Sequence, residues 1–150
     1  MTASKKKSLS TTSASAILAA LWLTCFIFSF SIPCLLSFRK AIESDTLTSS
    51  LDQLSGVYAP YIGAILAYYS VSRAPRFARR VTSTTSFTIA GVVSAVWNII
   101  VVGMLAQALF GYESIDDSLK VVTQVSSKLS WLVAPVIGYF FAKSEGSARS

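Results

Sequence analysis

The chain has 150 residues, a net charge of +6 and no histidine; 53% of it is hydrophobic and only 13% charged, with a mean hydropathy of +0.58. A soluble domain carries roughly a quarter charged residues, so the balance argues against an ordinary soluble domain. The missing histidine removes the commonest general base and metal ligand. The basic residues fall in short segments between apolar runs, a pattern of membrane topology rather than of nucleic-acid binding.

Residues 1–15 are polar and basic, as in a cytosolic tail, a signal-peptide n-region or a transit peptide. The apolar run at 16–38 follows. It is longer than the roughly 7–15 residues of a signal-peptide core, so it is expected to stay as a first membrane span. Cys25 and Cys34 lie in this run. On one helix they stand about 13 Å apart, beyond disulfide reach, and both read as lipid-buried thiols.

Residues 39–52 read as a polar loop and 53–72 as a second span, about 30 Å of helix. Segment 73–86 is a basic cytosolic loop carrying Arg73, Arg76, Arg79 and Arg80; its Ser83-Thr84-Thr85-Ser86 echoes Ser10-Thr11-Thr12-Ser13. The third run, 87–110, contains Trp97. Residues 111–120 form an acidic loop, 121–142 the fourth run, and 143–150 a polar cytosolic tail.

Two segments repeat. Ala59-Pro60, Ile62-Gly63 and Ala67 return at an offset of 75 as Ala134-Pro135, Ile137-Gly138 and Ala142, and the same offset pairs Trp22 with Trp97. The expected fold is an all-α integral membrane protein of four transmembrane helices. Two tandem, parallel-oriented hairpins, 16–72 and 87–142, are related by a pseudo-twofold axis along the membrane normal. Nine Lys and Arg fall on the side of the tails and the 73–86 loop. Four, Arg39, Lys40, Lys120 and Lys128, fall on the other. Both termini are therefore expected in the cytoplasm, with the chain in a cell or inner membrane.

The spacing i, i+4, i+8 sets Ala59, Gly63 and Ala67, and likewise Ala134, Gly138 and Ala142, in a line where another helix can pack closely. Pro60 and Pro135 withhold a donor from the carbonyls of Gly56 and Trp131, giving either a hinge with an exposed carbonyl or a static kink. Asn98 is the amide near the centre of a span, read as a substrate contact or an interhelical hydrogen bond. Lys128 lies within the fourth run and either snorkels outward or faces a wet crevice, paired with Asp52. Tyr58, Tyr61, Tyr68, Tyr69, Trp131 and Tyr139 read as interface anchors. No Walker loop, dinucleotide glycine motif, zinc spacing or nucleophile elbow is present, and no cofactor or metal is expected. The leading expectation is a non-enzymatic scaffold, accessory or lipid-contacting subunit, in contact with the bilayer and with a homo-oligomer or membrane-protein partner. The alternative is an oligomeric channel or small-solute transporter with hinge prolines in its second and fourth helices.

Overall fold

The structure is a computed structural model that describes residues 11–71 and 84–146. The basic groups Lys5–Lys7, Arg73, Arg76, Arg79, Arg80 and Arg149 lie outside these residues, as do the side chains of Ala142 and Lys143. Four helices follow one another: α1 (Thr11–Phe38), α2 (Ser44–Val71), α3 (Thr84–Leu109) and α4 (Ile115–Gly146). α1 and α4 each pack against both α2 and α3, so the order around the bundle is α1–α2–α4–α3. The loops 39–43 and 110–114 line one cleft and so share one end of the bundle. Two segments, Ser13–Phe38 and Thr85–Leu109, are long and apolar enough to cross a membrane. In α2 and α4 serine, threonine, tyrosine, glycine and proline interrupt the apolar residues.

Both loops are shorter than the composition implied, because polar residues at 44–52 and 115–120 are helical. Helix starts tolerate such residues well. Asp45 lies in the first turn of α2, and Asp116 and Asp117 in the first turn of α4, where carboxylates meet the positive end of the helix dipole. Ser114 caps α4: its hydroxyl accepts from the Asp117 N–H at 3.1 Å, satisfying one free donor of the first turn, and donates to the Asp117 carboxylate at 2.7 Å.

The far ends of α1 and α3 close alike. Lys40 has φ 56° and Gly111 φ 77°. The Ala41 N–H donates to the Leu36 carbonyl at 2.9 Å, and the Tyr112 N–H to the Gln107 carbonyl at 2.9 Å. Both are left-handed caps that favour glycine. Lys40→Gly is expected to stabilise by about 0.5–1 kcal/mol and Gly111→Ala to destabilise by about 1 kcal/mol. Thermal unfolding in detergent reads both; the opposite pair of signs would contradict this backbone.

The sequence repeat does not carry over into a twofold bundle. A twofold along the bundle would set α1 across from α3 and α2 across from α4, but each of these pairs is in side-by-side contact. The hairpins are also out of step. Sixteen residues separate Trp22 from the end of α1, and twelve separate Trp97 from the end of α3. From the start of α2 to Pro60 is sixteen residues, but from the start of α4 to Pro135 is twenty. The second turn has slid along the chain: Pro135 lies about 6 Å further from the loop end than Pro60, and Trp97 about 6 Å nearer to it than Trp22, a relative shift of about 12 Å. Accordingly, Tyr61 beside Pro60 stacks on Trp22, whereas Pro135 neighbours Ser86 and Ile89, two to three turns before Trp97. A third helix-internal proline, Pro33, lies buried in α1.

The core runs along the bundle, with Leu18, Ile32, Leu54, Ile65, Leu105, Val122 and Ile137 nearly or fully buried. The opposite faces of α1 and α3 are apolar too, exposing Ile17, Ile27, Phe28, Val96 and Ile99.

Candidate functional site

Three helices deliver aromatic and polar side chains to the middle of the bundle. Trp22 comes from the centre of α1, Tyr58 and Tyr61 lie one turn apart on α2, and Ser94, Trp97 and Asn98 share one face of α3. Trp22 stacks on Tyr61 at 4.5 Å between centroids and lies 4.9 Å from Trp97, while Tyr58 meets Trp97 edge-on at 5.3 Å. Offset and edge contacts of this kind add about 0.5–1.5 kcal/mol each beyond burial.

A hydrogen-bonded chain threads these rings. The Trp22 Nε1–H donates to Ser94 Oγ at 3.0 Å, and Asn98 Nδ2 donates to the Ser94 carbonyl at 2.9 Å. The Tyr58 hydroxyl donates to Asn98 Oδ1 at 3.4 Å and lies 2.9 Å from Ser29 Oγ. The linked groups of Trp22, Ser29, Tyr58, Ser94 and Asn98 are all buried. None is a carboxylate, histidine or lysine, so the chain offers no group that exchanges protons near neutral pH. It fixes the rotation of α1, α2 and α3 against one another. Among the described residues three buried side-chain polar atoms have no partner: Trp97 Nε1, Ser118 Oγ and Ser126 Oγ.

Ser126 belongs to a second feature, a groove of about 340 Å³ between α2 and α4. Gln53, Gly56, Pro60, Thr123, Ser126 and Ser130 are among its lining residues, and none of the residues lining it is charged.

The structure distributes the residues singled out in the sequence unevenly. Asn98 is in the core network. Ala59, Pro60, Gly63 and Ala67 are exposed, as are Ala134, Pro135 and Gly138. A Cβ built on Gly63 or Gly138 meets nothing within 4 Å. The lines of small residues therefore do not pack within the chain, because Tyr58, Tyr61 and Ile65 on α2 and Val133, Ile137 and Phe140 on α4 occupy the inward faces. Both helices run on through their prolines. Asp52 and Lys128 are exposed and form no ion pair with each other, which agrees with an outward-snorkelling lysine and not with the alternative of a crevice pair. Tyr58 and Tyr61 are buried core residues rather than anchors. Cys25 and Cys34 are free thiols.

Among the described residues the ion pair is Lys120 with Asp117, 3.0 Å apart on the surface of α4. The Ser114 hydroxyl first, and then Lys120, hold the Asp117 carboxyl below its ordinary value. A depressed carboxyl contributes stability above its unfolded value of about 4 and loses it as pH falls through the folded one. Asp117→Asn is expected to flatten this acid limb of the stability curve, measured by unfolding between pH 2 and pH 6; an unchanged limb would contradict the cap.

No family model, curated protein or solved structure matches the chain. Sequence reasoning missed Ser29, Ser94 and Ser126, and read Tyr58 as an interface anchor. The usable signal was the spacing of Ser94 and Asn98, i and i+4, which puts two polar side chains on one helical face.

Proposed function

We propose that the chain is a four-span integral membrane protein with both termini in the cytoplasm, acting without catalysis as a small scaffold, accessory or lipid-contacting subunit. The observation that carries this is the sidedness of α1 and α3. Their outward faces present Ile17, Ile27, Phe28, Val96 and Ile99, each more than half exposed, while Ser15, Ser29, Ser94 and Asn98 turn inward. In water such a bundle would carry a large exposed apolar patch; in hydrocarbon that belt is solvated by acyl chains and the polar groups bond among themselves. The 20-residue run at 53–72 and the 22-residue run at 121–142 are long enough to complete four spans. The small-residue lines at Gly63 and Gly138, open on the outside, suit a homo-oligomer or a membrane-protein partner.

A cysteine introduced into segment 73–86 of a Cys25→Ser/Cys34→Ser chain is expected to label from the cytoplasmic side alone. Labelling from outside would overturn the orientation. Trp22, Tyr58, Tyr61 and Trp97 fill the middle of the bundle, which favours the non-conducting reading over the channel or transporter. Proteoliposomes are accordingly expected to show no specific flux. Flux abolished by Pro60→Ala with Pro135→Ala would shift the assignment to transport between copies.

A further inference from the structure

We infer that the groove between α2 and α4 binds the hydroxyl-bearing headgroup of an uncharged lipid, of the diacylglycerol kind. The inference rests on the membrane reading above and names the ligand that one face of the bundle takes.

Four observations point to this chemistry. The lining offers an amide from Gln53, hydroxyls from Thr123, Ser126, Ser127 and Ser130, and no charge. A phosphate or ammonium headgroup would be desolvated there without a counter-charge, whereas a neutral hydroxyl exchanges water for these partners. Ser126 is 6% exposed, lines the groove and has no hydrogen-bond partner. A buried hydroxyl left unpaired is an unmet demand of about 1–3 kcal/mol, which an entering hydroxyl can answer as donor or acceptor. Gly56 also lines the groove, and Pro60 carries no N–H for the Gly56 carbonyl, leaving it in want of a donor. A Cβ built on Gly56 meets nothing within 4 Å, so the groove is open on the side-chain side of that residue.

Depth fits as well. Gln53 begins the second apolar run, at the level of the membrane interface, and Pro60 lies about 10 Å deeper along the helix. That interval is where the glycerol region gives way to acyl chains. Val57 and Pro60 supply apolar wall on the deep side. A volume of about 340 Å³ lies at the small end of ligand sites, enough for a headgroup while the acyl chains stay in the bilayer.

The test uses the full chain in phosphatidylcholine nanodiscs doped with a diazirine-tagged diacylglycerol, or with a phosphatidylglycerol carrying the same tag. Diacylglycerol is expected to label α2 and α4 peptides about tenfold more than phosphatidylglycerol. Gly56→Leu, which puts a side chain into the groove from a position with room for a Cβ, is expected to lower that labelling about tenfold, and Ser126→Ala about fivefold, one hydrogen bond's worth. Gly103→Leu on α3, also open to the outside, makes the same change away from the groove and is expected to leave labelling unaltered. Equal labelling by both lipids, or labelling undiminished in Gly56→Leu, would overturn the inference. So would a disulfide-linked dimer through Gly56→Cys in the Cys25→Ser/Cys34→Ser chain, which would give the groove to a second copy. Failure of the membrane reading looks different: the chain would not remain in the disc, and both proposals would fall together.

Discussion

Trp22→Ala is expected to destabilise the bundle by about 3–5 kcal/mol, the range for removing a large aromatic from a close-packed core. Trp22 is completely buried and touches Tyr58, Tyr61 and Trp97 at once, so no single neighbour can collapse into the space it leaves. Its indole N–H is also the donor to Ser94. Trp22→Phe keeps most of the ring contact and loses that bond, which places it well below the alanine variant. Crossing Trp22→Phe with Ser94→Ala isolates the hydrogen bond, expected at about 0.6–2 kcal/mol inside a helix bundle in membrane. Unfolding by graded denaturing detergent measures all three. A Trp22→Ala effect below about 1 kcal/mol would mean that α1 and α3 are not joined as described.

Asn98→Asp is expected to make stability steeply dependent on pH. Asn98 is 1% exposed, with Ser94 and Tyr58 as its partners. A protonated carboxyl there keeps an acceptor for Tyr58 and a donor for the Ser94 carbonyl. An ionised one faces no cation, so burial raises its folded pKa above the unfolded value of about 4. The sign follows: stability stays near wild type below the unfolded value and falls as pH rises toward the folded one. The slope is at most about 1.4 kcal/mol per pH unit. By pH 8 the deficit is expected to reach about 2.5–3.5 kcal/mol, the cost of an aspartate at the centre of a membrane helix. Asn98→Leu serves as comparison, with a deficit that does not change with pH. A flat profile for Asn98→Asp would show that water or a cation reaches this position.

The four helices were legible because each apolar run is long and bounded by charge, and Asn98 stood out as an amide among aliphatic residues. The loop boundaries were not, since Ser44–Asp52 is polar by composition and helical by position. Polarity there reflects the end of a helix rather than the end of helical structure. The relation between hairpins was hidden for a different reason. An offset of 75 is preserved from Trp22 to Trp97 and from Pro60 to Pro135, yet the turn between them moved, and a constant offset is blind to where a chain reverses. Tyr58 was misjudged because tyrosine suits either a wet boundary or a buried partner; only Ser29 and Asn98, distant in sequence, decide for the second. The small-residue lines marked a helix face correctly but not which side of the molecule that face would look toward.

The bond from Trp22 to Ser94 has a consequence for synthesis. Its partners are 72 residues apart, whereas Ser29 and Tyr58 are 29 apart. At about 5–20 residues per second, the tyrosine emerges within about 1.5–6 seconds of its serine, but the indole precedes its acceptor by about 4–14 seconds. For that interval the first hairpin exists alone, with an N–H donor turned toward a neighbour not yet made. The pace of the ribosome thus sets how long this core stays open.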